Sequence, residues 1–201
     1  MRFTKVPEEL FSEMQLNAGV ILNAFNPAQP GSMEEMIADI VGATTGGVNF
    51  TATPTFSDAG EGIDNCPVNM KELKRLDSWE ITMSGTYVSA NANTVKSLIS
   101  AADVAGNKIT PRAELKEEDF KDIWWVGDYS DKNGDLNGGY IAIHMMSVLN
   151  TGGFRLQSSD KGKGNMAFTY TAHYSIEDQS TVPFEVYIQA GSDEPAANNE
   201  G

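Results

Sequence analysis

The sequence is poor in sulfur chemistry, histidine and positive charge. Its single cysteine, Cys66, rules out an internal disulfide framework and any multi-cysteine zinc site. Two histidines, His144 and His173, leave little material for a His-based metal or catalytic centre. Lys and Arg total 14 against 28 Asp and Glu in 201 residues, a net charge of −14. The imbalance is global, with 6 basic and 12 acidic groups in residues 1–100 and 8 and 16 in residues 101–201. A protein that grips nucleic acid by neutralising phosphates needs the opposite balance, as does one that docks on an anionic membrane. No run approaches the ~20 apolar residues of a spanning helix. Glu8, Glu9 and Glu13 stand where a signal peptide carries its apolar core, so a soluble intracellular protein is expected. No glycine-rich phosphate loop precedes a helix; Gly46-Gly47 leads into a strand instead. These absences disfavour an enzyme, and no cofactor or metal is expected.

What is present is alternation of period two, the mark of strands with one packed and one polar face. Met166, Phe168, Tyr170, Ala172 and Tyr174 alternate with Ala167, Thr169, Thr171 and His173. Trp79, Ile81, Met83 and Tyr87 alternate with Glu80, Thr82, Ser84 and Thr86. Phe184, Val186 and Ile188 alternate with Glu185, Tyr187 and Gln189. Further strands are predicted near 14–22, 47–53, 122–129, 139–149 and 152–157. Asn133-Gly134, Asn137-Gly138, Thr151-Gly152-Gly153 and the stretch 158–164 supply the turns of a hairpin meander. Two short helices interrupt it. Met33, Met36, Ile37, Ile40 and Val41 share one helical face, with Ser32 and Glu35 spaced as a capping box and Gly42 as the stop. Val95, Leu98, Ile99 and Ala102 share another, with Asn93 as cap and Gly106 as the end. Both read as helices packed on the sheet. Residues 54–78, with Pro54, Gly60, Gly62 and Pro67, read as a long turn-rich loop, and such loops are often functional. One domain over 1–190 is expected, followed by a disordered tail at 191–201.

Several local constellations have plainer readings. Asp131, Asn133, Asp135 and Asn137 alternate like calcium ligands, but Leu136 and Ala142 stand where an EF-hand loop needs Gly and Glu, so a hairpin turn is the better account. His144 and His173 read as polar strand-face residues, and Cys66 before Pro67 as an incidental thiol. Trp124-Trp125 breaks the alternation, so one indole must leave the core side. Cover by the domain's own helix and exposure to a partner are both open for it.

The segment 60–86 carries Gly60-Glu61-Gly62-Ile63-Asp64-Asn65-Cys66-Pro67, Met70-Lys71-Glu72-Leu73, Trp79 and Ser84-Gly85-Thr86. It resembles the middle of phage major tail proteins, most closely those of long, non-contractile tails from Gram-positive hosts. The resemblance extends over about 14–190 in the order of strand, long loop, helix at 93–102, hairpins and a closing Phe184-Glu185-Val186-Tyr187-Ile188 strand. It implies a mainly β fold, an antiparallel β-sandwich or flattened barrel with one or two short flanking α-helices. It also implies hexameric rings stacked into a tail tube, a place in the virion tail after synthesis in the host cytoplasm, and tape-measure, tail-terminator and distal tail proteins as partners. Double-stranded DNA would pass through without specific binding. A ring of this chain would carry 6 × −14 = −84 charges, which suits a conduit that must not hold its cargo.

Two site expectations follow. In the loop, Asp58, Glu61, Asp64 and Asn65 lie early and Lys71, Lys74 and Arg75 late, a separation of charge that would pair between stacked rings. The alternative is a loop folded on its own domain and anchored by Ile63, Val68 and Met70. The polar strand faces holding Glu80, Thr82, Ser84, Thr86, Thr169, Thr171, Glu185 and Gln189 are the lumen candidates. Competing readings are a carbohydrate-binding or decoration β-sandwich, using Trp124, Trp125 or Tyr129 as an aromatic platform, and the inner tube of a contractile tail-like or secretion particle.

Overall fold

Alternation decides which faces of the strands meet, and the computed structural model follows it. The structure describes residues 10, 13–30, 33–129 and 139–191. The strands are β1 (Gln15–Leu22), β2 (Thr44–Asp58), β3 (Lys74–Tyr87), β4 (Ala102–Ala105), β5 (Lys108–Pro111), β6 (Lys121–Tyr129), β7 (Gly139–Asn150), β8 (Leu156–Gln157), β9 (Asn165–Ala172) and β10 (Phe184–Gln189). Among the described residues the α-helices are α1 (Met33–Asp39) and α2 (Ala92–Ile99), with a 3₁₀ turn at Glu117–Asp119. The fold is mainly β and antiparallel with two short helices, as the sequence predicts.

Eight strands form one sheet in the order β1-β6-β7-β9-β3-β2, with β10 added on β7 and β8 on β9. β7 is shared between two halves. Its first part, Tyr140–Met145, pairs with β10, and its last part, Val148–Asn150, pairs with β9. The switch falls at Ser147, whose φ of 51° marks a local break in the extended backbone. The two halves face each other across one core. β1, β6 and β7 contribute Ile21, Trp125, Ile143 and Met145; β3 and β9 contribute Ile81, Met83, Tyr87, Met166, Phe168 and Tyr170. This is a sandwich-like arrangement of an open sheet; it is not closed into a barrel.

Trp125 shows how tightly the core is built. Its indole lies where a Cβ on Gly19 or on Gly127 would come within 2.6 Å, and its Nε1 donates to the Ala18 carbonyl at 3.1 Å. Gly19 also has φ +67°, so glycine is required there on two counts. Trp124 points the other way into a second cluster with Leu22 and Ala142, closed by Phe25, Met36, Ile40 and Tyr187. The domain's own helix and the preceding loop therefore cover the second indole.

Some expectations need correction. The 54–78 segment is not one loop: β2 runs on to Asp58 and β3 begins at Lys74, leaving 59–73 as the connection. α2 is capped by Asn91, whose Oδ1 accepts from the Thr94 amide at 2.8 Å, rather than by Asn93. Gly106 does not end a helix; it has φ +62° and turns the β4–β5 hairpin, which the sequence reading missed. Only Leu156–Gln157 of the expected 152–157 strand pairs. Ile37 is 59% exposed instead of packed. The Ser32–Glu35 capping box, the Asp131–Asn137 turn and the tail beyond Gly191 lie outside the described residues and side chains.

Candidate functional site

The β2–β3 hairpin extends beyond the sheet. β9 flanks β3 only from Thr82 to Tyr87, so Lys74–Ile81 has β2 alone as its strand partner. At ~3.3 Å per residue that is a two-stranded arm of roughly 25 Å. Its root is steadied by Trp79, whose backbone amide donates to Tyr174 Oη at 3.0 Å and whose ring lies 5.9 Å from Phe184. Towards the tip, residues 55–57 and 74–78 are exposed on both faces. There Phe56 pairs directly with Leu76, and each is 52% exposed. Pro54 is tolerated because β2 is an edge strand with an unused side.

The tip is organised by its own groups. Asp58 accepts from the Gly60 amide at 2.9 Å and the Asn69 amide at 2.8 Å. The bond from Asn69, then that from Gly60, with Lys74 nearby, hold its carboxyl below the usual range. Lys74 donates to Asn69 Oδ1 at 3.0 Å and lies over the Phe56 ring. Leu73 and Cys66 close over Gly60 so tightly that a Cβ there would meet both. Asn65 and Asn69 adopt positive φ, which Asn tolerates. Asp58 and Lys74 are thus engaged within the tip. Lys71 contacts its neighbour Glu72 at 3.5 Å, both well exposed, an arrangement worth little. Glu61, Asp64, Asn65 and Arg75 are exposed. Ile63, Val68 and Met70 are 58%, 79% and 38% exposed, so they do not anchor the loop on the domain.

Six of the eight lumen candidates meet on one face. Asn49, Ser84 and Thr169 form a cross-strand row, Thr51, Thr82 and Thr171 the next, and Thr53 with Glu80 another. Thr86 continues the face beside Thr45, and Thr151 Oγ1 lies 2.8 Å from Thr171 Oγ1. This gives a hydroxyl-rich surface three strands wide, backed by the core. Glu185 and Gln189 are elsewhere, on β10, opposite His144 and Tyr140. The sequence reading missed the Phe56–Leu76 pair because both lay inside the supposed loop.

Trp124 and Trp125 are 8% and 9% exposed, so neither offers a ring face to a sugar. Among the described residues no group of three or more His, Cys, Asp or Glu could hold a metal ion. Among them, too, no helix is long and apolar enough to cross a membrane. A scan against protein-family models and a search of curated proteins return no match for the chain.

Proposed function

We propose that the chain is a tube subunit of the phage major tail protein type, forming hexameric rings that stack into a conduit for DNA ejection. The observation that carries this reading is the β2–β3 arm. A two-stranded hairpin is marginal in water by itself. This one holds an apolar pair, Phe56 and Leu76, half exposed and beyond the reach of the core. Covering the exposed half of each against a neighbour gains roughly 0.8–1.5 kcal/mol per side chain, about half the full-burial value. The arm is built to be completed by another subunit. The hydroxyl-rich face around Thr82, Ser84, Thr169 and Thr171, with Glu80, supports a channel wall that keeps a duplex hydrated and unbound. The six-fold ring, the virion-tail location and the tape-measure, terminator and distal tail partners rest on the sequence resemblance.

Negative-stain microscopy and light scattering across a concentration series test the proposal. Rings or tubes with a central channel are expected at high protein concentration or with a tail initiator added. A monomer under every one of those conditions overturns it. Phe56→Thr with Leu76→Thr separates assembly from folding: the double variant is expected to stay folded and monomeric.

A further inference from the structure

Across β6, β7 and β10 one lateral row reads Trp124, His144, Glu185, each directly opposite the next. The Trp124 and His144 rings stack with centroids 4.0 Å apart and an interplanar angle of 6°. His144 Nε2 lies 3.1 Å from Asp122 Oδ2, on β6. His144 Nδ1 lies 3.5 Å from Glu185 Oε2, on β10, and is a buried atom with no hydrogen-bond partner. The imidazole therefore sits between carboxylates from the two strands that flank its own.

We propose that His144 is a protonation latch that fastens β10 to β6 across β7. A neutral imidazole has one N–H and serves one carboxylate. With Nε2–H donated to Asp122, a bare and buried Nδ1 lone pair faces the half-exposed Glu185 carboxylate. Gaining a proton turns that opposition into a second charge-assisted contact. It also places a cation on the face of Trp124. Every packed element favours this state or is silent. β6 brings Asp122 and Trp124. β10 brings Glu185 and Tyr187, whose Oη donates to Glu185 Oε2 at 2.5 Å and fixes that carboxylate. β7 brings Tyr140, which is occupied with the Pro27 carbonyl. Phe25, Met36 and Ile40 close the cluster without charge. Asp122 is held in turn by the Ser147 amide at 3.0 Å.

The sign follows from the charges. The latch closes when the imidazole carries its second proton and opens when rising pH removes it. What it controls is an edge strand whose Val186 and Ile188 are 46% and 60% exposed. The latch operates whether or not the chain builds tubes.

Hydrogen exchange of the β10 amides at about pH 5.5 and 8, corrected for intrinsic rates, tests it. Protection of residues 184–189 is expected to fall about ten-fold at the higher pH, the size of one charged hydrogen bond. β9 amides serve as the internal reference and should not follow. His144→Gln and, separately, Glu185→Gln should abolish the pH dependence, whereas His173→Gln should keep it. Trp124 emission, isolated by comparison with Trp124→Phe, should rise with pH as the charged ring that quenches it is lost. If His144→Gln does not fold, Glu185→Gln alone decides, because Glu185 is half exposed and replaceable. Equal β10 protection at both pH values, or an undiminished pH effect in Glu185→Gln, overturns the proposal.

Discussion

Asn150 shows how one polar side chain can hold several elements at once. It is 7% exposed, donates to the Leu98 carbonyl at 2.7 Å and the Gly153 carbonyl at 3.1 Å, and accepts from the Thr169 amide at 2.8 Å. Asn150→Ala strands three backbone groups, so a loss of about 2–4 kcal/mol is expected in denaturant unfolding. Asp58 gives a pH prediction of the opposite sense to the histidine latch. Its carboxyl is held low by the two tip amides, so their bonds persist through the ordinary carboxylate range and are lost only as pH falls below it. The amides of Gly60 and Asn69 should therefore lose exchange protection in acid, below about pH 4, and in Asp58→Ala at any pH. Residues of this kind are poorly legible in the sequence. The double tryptophan announces that one indole must leave the core, yet nothing local says that Phe25 and α1 cover it. Asn150 sits at a strand end like any surface amide, and only its distant partners make it structural.

At the scale of elements, legibility tracks how unequal the two faces of a strand are. β9 buries Met166, Phe168 and Tyr170 against partly exposed Thr169 and Thr171, and the period of two is plain in its sequence. The distal arm is exposed on both faces, so Lys74–Ser78 carries no alternation, and with Gly60, Gly62 and Pro67 nearby it reads as loop. The four-residue strands β4 and β5 are too short to announce a period, and their turn glycine reads as a helix stop. The polar lumen candidates are legible as faces, but their grouping is not: strand order brings β3 and β9 side by side and sends β10 to β7. Shortening the arm by removing 59–73 and joining Asp58 to Lys74 through a two-residue Asn-Gly turn should leave the core intact, because no buried hydrophobic side chain lies in that stretch. Melting within a few degrees of the parent with tube formation abolished is the expected pair of results. Normal tubes would remove the tip from ring contact.

For the whole molecule, charge is the dominant property. At −14 per chain, neighbours in the proposed ring would repel one another, and salt would relieve that repulsion. Light scattering should therefore report more assembly as the screening length shrinks from about 10 Å at 0.1 M salt to about 3 Å at 1 M. Glu80→Lys, on the hydroxyl-rich face, should slow DNA ejection at low salt and leave it normal at high salt if that face lines the channel. The order of the strands has a further consequence, for synthesis on the ribosome. β1 precedes the other described strands, yet its strand partner is late: Ile21 pairs with Trp125 and Leu22 with Trp124. At 5–20 residues per second, about 5–20 s pass before the strand that covers them exists. Ile21 and Leu22, both 0% exposed in the finished fold, have only the nearby Ile40–Val41 stretch to meet during that interval. β1 is thus made ahead of the other described strands and is among the last to complete its pairing, which leaves the nascent chain open to chaperones for much of its elongation.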